Sequence, residues 1–349
     1  MKRNSTLIAA VVILLIAAAA AGWVFVGDTM TPKETVAEFY RGKTIELKIG
    51  YSPGGGYDGY ARVLARHMGR HIPGNPTIIP TNMSGKGSLL LTNHLYNEAP
   101  RDGTVFGIIG RGIAMEPLLG GDETNFLPTR FNWIGSLNNE VSVCVASRAS
   151  DVRRWEDLMT RELVVGGTGS GSDTDTLPTL LGNMFGARLT LVSGYPGGSD
   201  ILRAIEKGEV QGRCGWSWGS ARNNDLITNG QVYVLLQMAL QKHPDLPNVP
   251  LIMDLARNDD DRSVLLLLFA RQAMGRPFVA PPGVPEDRMA ALRRAFDLVV
   301  RDPVFLADAE REGLEIQPAN YQVIQDVIEH VYQVSTPTLV ARASALVSN

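Results

Sequence analysis

Three consecutive glycines between a β-like run and a helical pattern limit the fold of this chain more than any other part of its sequence. The run Thr44–Gly50 is followed by the glycine-rich turn Tyr51–Tyr57, and a helical pattern starts at Asp58. Glycines lack the side chains that keep a ligand away from the backbone, and Asp58 can cap the helix, so free N–H groups converge at its positive end. This element therefore predicts an anion-binding site.

Variants of the same element occur twice more along the chain. One is Gly166–Asp173, which precedes an apolar helical pattern, and the other is Gly194–Asp200, which precedes the run Ile201–Ile205. Three turns of this kind in one chain predict a cleft that is built from helix N-termini.

Short β-branched runs alternate with helical patterns, which predicts an α/β fold with right-handed βαβ units and a parallel sheet. The first series predicts strand Thr44–Gly50, helix Asp58–Arg70, strand Pro76–Asn82, helix Lys86–Asn97 and strand Thr104–Gly110. The second series predicts strands Val141–Ser147, Leu163–Gly166, Leu189–Ser193, Val210–Gly215 and Val232–Gln237. Ligands collect beyond the carboxyl ends of such strands, so the loops Tyr51–Tyr57 and Arg111–Ala114 are expected on one rim.

Breaks near Gly135 and Ala239 divide the chain into two lobes, with residues 43–134 as the first part of lobe 1, 135–238 as lobe 2, and 239–349 as the second part of lobe 1. The helical patterns 288–300, 303–312 and 321–334 are expected to pack back on the first lobe. The apolar run Ser263–Ala270 suits either a buried strand or a buried helix.

The N-terminus reads as an export signal over residues 1–22. Lys2 and Arg3 precede the apolar stretch Leu7–Ile16, and the alanines Ala17–Ala21 offer small-residue cleavage sites. Apolar character continues to Val26, so residues 7–26 could also remain as an anchor, although the small residues favour cleavage. The net charge of -3 and the lack of a basic patch argue against nucleic acid and anionic membrane surfaces as partners.

The chain contains two cysteines, Cys144 and Cys214. In an oxidising compartment they could pair or remain as two buried thiols, and they are too few for a zinc site. No metal and no cofactor is expected.

Two motifs suggest enzymes, and each lacks a necessary partner. Gly54–Gly59 matches the dinucleotide pattern G-x-G-x-x-G, but the second strand ends in Thr81–Met83 without the acid that holds the ribose. Gly215–Gly219 matches the nucleophile-elbow pattern G-x-S-x-G around Ser217. A serine hydrolase would also need a histidine, and the candidates His243 and His330 lie in a turn-like stretch and a charged helix.

Several arginines, tryptophans, histidines and acids suit either a structural or a functional role. Arg111 and Arg213 stand at strand ends, where an arginine is either a solvated surface charge or a partner for a ligand carboxylate, and Arg111 shares a rim with the glycine turn. Trp216 and Trp218 suit either a cleft wall or the core. Two further groups are expected on the surface: the histidines His67, His71 and His94, and the acids Asp259–Asp261 in a solvated loop.

In order along the chain, these motifs resemble the extracytoplasmic substrate-binding proteins of tripartite tricarboxylate transporters. The resemblance covers about residues 43–318. It is carried by Pro53–Asp58, Ala99–Thr104, Gly169–Ser172, Gly194–Gly198 and Ala280–Pro285. Two departures are Asp175, where many members have histidine, and Tyr57, where threonine or a small residue is common.

The resemblance implies a two-lobed periplasmic binding protein of type II topology, without enzymatic activity, that closes on a small carboxylate and delivers it to membrane permease subunits. It implies a ligand site made of two turns and a surrounding wall: Tyr51, Pro53, Gly54, Gly55, Gly56, Tyr57 and Asp58; Gly167, Thr168, Gly169, Ser170, Ser172 and Asp173; and Arg111, Gly112, Tyr195 and Trp216. The alternatives are an exported serine hydrolase that uses Ser217 and a ligand sensor that docks on a membrane kinase.

Overall fold

The structure is a computed structural model that describes residues 34–121 and 123–348. It is an α/β molecule with two separate sheets, one of six strands and one of five. The predicted export signal at 1–22 and the possible anchor at 7–26 lie outside the described residues. Within the described ranges, no helix combines the length and the apolar character that crossing a membrane requires.

The strands are β1 Thr44–Ile49, β2 Thr77–Asn82, β3 Val105–Ile108, β4 Asn132–Ser136, β5 Ser142–Ser147, β6 Leu163–Gly166, β7 Leu189–Val192, β8 Gly212–Ser217, β9 Val232–Met238, β10 Pro277–Ala280 and β11 Ala319–Asn320. The α-helices are α1 Val36–Tyr40, α2 Gly56–Met68, α3 Leu89–Asn97, α4 Glu116–Leu119, α5 Asp173–Phe185, α6 Gly198–Glu206, α7 Trp218–Ala221, α8 Asp225–Thr228, α9 Asp259–Phe269, α10 Glu286–Val299, α11 Pro303–Arg311, α12 Tyr321–Val334 and α13 Pro337–Val347.

The six-stranded sheet has the order β11-β4-β10-β3-β1-β2. Strands β1, β2 and β3 are parallel, as the alternating pattern predicts, whereas β10 runs antiparallel between β3 and β4. Helix α2 covers this sheet with the predicted face, since Tyr60, Val63, Leu64 and Met68 are all buried. Each such side chain that leaves water contributes roughly 1.5–3 kcal/mol.

The five-stranded sheet, β7-β6-β8-β5-β9, repeats the plan of the first. A parallel trio, β7, β6 and β8, again lies beside an antiparallel strand, β5, and a fifth strand follows it. We call the six-stranded sheet with its helices the first lobe and the five-stranded sheet with its helices the second lobe. The mixed α/β class with two sheets was predicted correctly.

The chain crosses between the lobes twice, at 137–141 and at 239–276, and the two crossings lie side by side. The N–H of Gly275 donates to the carbonyl of Asn138 at 2.8 Å, and the N–H of Glu140 donates to Gln272 at 2.8 Å. Strand β4 extends across the predicted boundary at 134/135, and the division into 43–134, 135–238 and 239–349 stays a prediction.

The C-terminal part settles one open alternative and differs from expectation in two places. The run Ser263–Ala270 lies mostly in helix α9, and Asp259–Asp261 form the first turn of that helix instead of a solvated loop. Asn258 caps it, and Asp261 is fully buried against Arg257 and Arg342. Acids in a first turn are favoured because they face the positive end of the helix.

The second difference concerns helix α13, which does not pack only on the first lobe. The side chain of Asn183, on α5 of the second lobe, donates to the carbonyls of Leu346 and Ser348 at 3.2 Å. On the other side, the hydroxyl of Ser344 donates to the carbonyl of Leu119 on α4 at 2.6 Å. Helix α13 therefore bridges α4 and α5, whereas α10 and α11 contribute to the hydrophobic core of the first lobe.

Cys144 and Cys214 face each other across the neighbouring antiparallel strands β5 and β8, and a disulfide joins them. Both residues are fully buried. Of the two alternatives that the sequence left open, a disulfide or two buried thiols, the structure contains the disulfide.

Candidate functional site

A cavity of about 40 Å³ lies between the two lobes, where three glycine-containing turns meet. Each turn precedes a helix, and the N-termini of α2, α5 and α6 all reach the cavity. The lining residues are Tyr51, Gly55, Gly56, Tyr57, Arg111, Gly112, Thr168, Ser172, Asp173, Thr174, Gly198, Arg213, Gly215, Ser217, Ser220 and Arg276. The predicted convergence of helix N-termini is thus found, and the volume suits a few water molecules.

The first turn is held by Asp58, although not as a helix cap. Gly55 is the N-cap of α2, so the prediction that Asp58 caps this helix is wrong. The Asp58 carboxylate accepts the N–H of Gly54 at 2.9 Å and is also bonded to Arg62 and Asn82. Gly54 has a φ of +82°, a conformation that favours glycine. Asp58 therefore stabilises a turn in which position 54 requires glycine.

The second turn brings the lobes into close backbone contact. The N–H of Gly87 in the first lobe donates to the carbonyl of Thr168 in the second at 2.9 Å. A Cβ at Gly112 would lie 2.3 Å from the carbonyl oxygen of Gly171, which is closer than any real contact. This approach requires glycine at position 112 when the lobes are together.

The third turn closes the cavity mouth. Ser52 donates from its hydroxyl to Asp200 at 2.6 Å and from its N–H to the carbonyl of Pro196 at 3.2 Å. The hydroxyl of Ser199 donates to the carbonyl of Pro53 at 3.1 Å. These bonds join the two lobes at the edge of the cavity, so the structure represents a closed arrangement.

Arg111 lines the cavity, but a carboxylate of the protein already binds it. Its Nη2 lies 2.6 Å from Asp173, its Nε donates to the same carboxylate at 2.8 Å, and it also bonds the hydroxyl of Ser142. Burial acts to lower the pKa of the Arg111 guanidinium, but the charge of Asp173 raises it above its ordinary value. Burial also acts to raise the pKa of the Asp173 carboxyl, and Arg111 holds that pKa below its ordinary value.

Arg276, which directly precedes β10, also lines the cavity. Its guanidinium lies 3.4 Å from the buried carboxylate of Glu140 and is stacked on the rings of Tyr57 and Tyr60 at 4.5 and 4.8 Å. It donates to the hydroxyl of Ser217, which in turn donates to Glu140. Arg276 therefore has an acid partner in the protein.

These contacts give the serine-hydrolase alternative no support. The hydroxyl of Ser217 bonds to Glu140 and Arg276, whereas His243 bonds to Asp245 and Glu315. His330 borders a separate groove between the C-terminal helices. Neither candidate histidine has the position that a base for Ser217 requires.

Arg213 differs from the other two arginines of the cavity. Its Nη1 donates weakly to the carbonyl of Gly198 at 3.3 Å, and its Nε, like that of Arg276, is buried without a hydrogen-bond partner. Among the described residues, no carboxylate lies within 4 Å of it. Burial, followed by the charges of Arg276 and Arg111, lowers the pKa of Arg213 to about 9.

The surroundings of Arg213 add positive character. A Cβ at Gly198 would lie 2.6 Å from this guanidinium, which therefore sits against the N-terminal end of α6. Helix N-termini carry partial positive charge, so a cation in this place is unfavourable unless an anion joins it. The cavity consequently has an unbalanced positive charge.

Two tyrosines cover the cavity with stacked rings. The centroids of Tyr51 and Tyr57 lie 4.4 Å apart. The hydroxyl of Tyr51 donates to the carbonyl of Gly87 at 3.1 Å, and that of Tyr57 accepts the N–H of Arg111 at 3.1 Å. Burial raises the pKa of Tyr51 well above its ordinary value, so this group adds no negative charge.

The predicted site residues fall into two groups. Nine line the cavity: Tyr51, Gly55, Gly56, Tyr57, Arg111, Gly112, Thr168, Ser172 and Asp173. The other eight, Pro53, Gly54, Asp58, Gly167, Gly169, Ser170, Tyr195 and Trp216, do not line it. Trp216 is buried in the core of the second lobe, and Ser170 borders a different pocket. Their roles toward a ligand stay predictions.

The sequence only weakly indicates several residues that line the cavity. The sequence indicates Arg213 less strongly than Arg111, and it gives no indication of Arg276 or Ser220. A signal for Arg213 existed, since it lies in the strand that ends at the G-x-S-x-G motif. Nothing local marks Arg276, because only the second chain crossing brings it to the cavity. Within residues 34–121 and 123–348, no cluster of three His, Cys, Asp or Glu could hold a metal ion.

Comparison with known proteins identifies solved structures of the same fold. No protein-family model matches the chain. No curated protein sequence matches it either. The periplasmic binding protein BugD superposes with a TM-score of 0.72 at 18% identity, covering 89% of this chain and 100% of that chain. MatC from Rhodopseudomonas palustris with bound malate gives 0.67 at 19% identity, covering 88% and 99%.

A second R. palustris protein, solved with adipate, gives a TM-score of 0.68 at 19% identity and covers 87% of this chain and 98% of that chain. Identities this low establish the fold. The chain therefore has the predicted fold of a two-lobed periplasmic binding protein.

Proposed function

We propose that this chain is an extracytoplasmic solute-binding protein of the tripartite tricarboxylate transporter type that captures a small carboxylate. Two independent lines support the family: the ordered motifs between residues 43 and 318, and the fold shared with BugD and MatC. Solved relatives of this fold hold malate or adipate. The proposal assigns binding and no catalysis to the protein.

The observation that carries the proposal is the unpaired guanidinium of Arg213 at the cavity between the lobes. A cation that leaves water without a counter-ion is costly, and a ligand carboxylate would remove that cost through charge-assisted hydrogen bonds. The N-termini of α2, α5 and α6 point at the same space, and their N–H groups favour an anion there.

Closure follows from the placement of these groups on both lobes. Gly55 and Gly56 belong to the first lobe, whereas Arg213 and Gly198 belong to the second. A carboxylate between them gains contacts with both lobes only when the cleft is shut, so it binds the closed state more tightly than the open one. The paired crossings at 137–141 and 239–276 provide the hinge.

Transport is the expected role of such closure. The signal over residues 1–22 would place the mature protein in the periplasm, and the closed, loaded form would present its surface to the permease subunits of the transporter. Docking on a membrane kinase would use the same cleft, and no feature of the described residues favours it.

A binding screen tests the proposal. Small carboxylates added to the purified protein should raise its melting temperature, because a ligand that binds only the folded state stabilises it. An uncharged amide of the same size serves as the control and should have no effect. Labelling of Ser217 by a fluorophosphonate probe, without stabilisation by any carboxylate, would instead indicate a hydrolase.

A further inference from the structure

The charges around the cavity define how many negative charges a ligand should bring. Three arginines line it, Arg111, Arg213 and Arg276, and two acids neutralise part of their charge, Asp173 and Glu140. All but Arg213 are almost completely buried, so their charges are poorly screened by water.

Asp173 is the counter-ion of Arg111. Two nitrogens of Arg111 contact one carboxylate oxygen of Asp173, at 2.6 and 2.8 Å, and Gln272 lies 3.4 Å from the same oxygen. Arg271, behind the cavity, lies 3.6 Å from the other oxygen and also faces Glu116. Asp173 therefore neutralises Arg111, which the sequence analysis expected to bind the ligand.

Glu140 is the counter-ion of Arg276. It lies 3.4 Å from this guanidinium and 3.8 Å from Arg111, and the Ser217 hydroxyl donates to it. Because Arg111 and Arg276 both have acids, Arg213 is the cavity cation left over within the described part of the chain. The cavity lining together with Glu140 thus carries one uncompensated positive charge.

From this balance we infer that the site selects a monocarboxylate over a dicarboxylate, with Asp173 standing in for a second ligand carboxylate. This inference rests on the proposed function and narrows its ligand class. One carboxylate at Arg213 completes the charge balance of a poorly solvated site. A second would meet Asp173 and Glu140, whose like charges make its burial unfavourable.

The test compares acids of equal carbon number that differ by one carboxylate. We would measure the affinity of the purified protein by calorimetry at neutral pH for propionate against malonate, and for butyrate against succinate. The expected result is that each monocarboxylate binds at least about tenfold more tightly than its partner. Equal or tighter binding of malonate or succinate would overturn the inference and leave the proposed function standing. Absence of binding by all four acids would count against both.

A substitution tests the role assigned to Asp173. In Asp173→Asn, Arg111 loses its counter-ion, so the preference for monocarboxylates should fall by about tenfold or reverse. Asp175→Asn is the matched control, because Asp175 lies on the same helix, is equally buried and does not line the cavity. An unchanged preference in a folded Asp173→Asn protein would contradict the inference, and the wild-type series decides the question if this variant does not fold.

Discussion

Arg213 and Arg111 show how the same residue type acquires different roles from its neighbours. The sequence pattern places both arginines at strand ends. It favours Arg111, because the loop of Arg111 is predicted to lie on the same rim as the glycine turn. Asp173 binds Arg111, while Arg213 contacts the carbonyl of Gly198 and its own Nε has no hydrogen-bond partner. Charge pairing of this kind depends on side chains from distant parts of the chain, so a single sequence does not reveal it.

Replacing Arg213 with methionine should separate binding from stability. Affinity for a small carboxylate should fall at least about 100-fold, because the buried ligand charge loses its partner. The unliganded protein should become more stable, by on the order of 1 kcal/mol, because a half-buried cation without a counter-ion is removed. Calorimetry and denaturant titration measure the two effects. Arg154→Met, an exposed arginine of the same lobe, should change neither, and a destabilised Arg213→Met protein would refute the charge argument.

Gly112 offers a second test, which concerns shape instead of charge. Alanine at this position would place its Cβ 2.3 Å from the carbonyl oxygen of Gly171, across the contact between the lobes. The closed form should be disfavoured, and ligand affinity should fall roughly tenfold or more. Gly59→Ala is the control, since its Cβ would meet only Leu314 at an ordinary 3.8 Å. It should leave affinity unchanged and stabilise α2 by about 0.5–1 kcal/mol. Equal affinities in the two variants would contradict the closed arrangement.

Among helices and strands, the elements with strong local patterns were predicted well. Strands β1, β2 and β6 lie within two residues of their predicted bounds, because alternating apolar residues and glycine turns specify them locally. Strand β10 was missed because it is short and its pairing with β3 and β4 depends on residues far away in sequence. Helix α13 was missed for a similar reason, since its partners α4 and α5 belong to distant segments.

Helices α2 and α11 are joined by ion pairs that predict acid sensitivity. Asp308 binds Arg66 and His67, and Asp302 binds Arg70. His67 is therefore a buried partner of Asp308, where the sequence suggested a surface residue. Hydrogen bonds from Arg70 and from His67 hold the pKa of Asp302 and of Asp308 below the ordinary value of 3.8.

The sign of the effect follows from the lowered pKa values. A carboxyl whose pKa is lower in the folded state stabilises the protein above about pH 3.8, and this contribution is lost as pH falls toward the folded-state pKa. The melting temperature of the wild type should therefore drop steeply below about pH 4. The double variant Asp302→Asn and Asp308→Asn should melt lower at neutral pH and show a shallower drop. Asparagine preserves the cap that Asp302 gives to α11. Parallel pH profiles would contradict the role of these pairs.

The disulfide between β5 and β8 allows a further test. It closes a loop with a sequence separation of 70 residues, for which chain-entropy models give about 4 kcal/mol. The oxidised protein should contain no thiol that reacts with an alkylating agent after denaturation. Reduction should expose two and lower the free energy of unfolding by roughly 2–4 kcal/mol. Two reactive thiols in the denatured, unreduced protein purified from the periplasm would contradict the pairing.

For the molecule as a whole, the fold was more predictable than the site. The α/β alternation predicts a parallel sheet, and each of the two sheets contains three parallel strands beside antiparallel ones that the alternation does not predict. The arrangement of the lobes places Ser52 against Asp200 and Gly87 against Thr168. Those contacts arise from packing between parts that no local pattern relates, which explains why the lining was only partly predicted.

A crystal structure of the protein with propionate would locate the ligand directly. We expect the carboxylate between the closed lobes, within hydrogen-bond distance of the Arg213 guanidinium and beside the N-termini at Gly56 and Gly198. Asp173 should remain paired with Arg111. A carboxylate bound outside this cavity, or inside it with Arg213 turned away, would contradict the account.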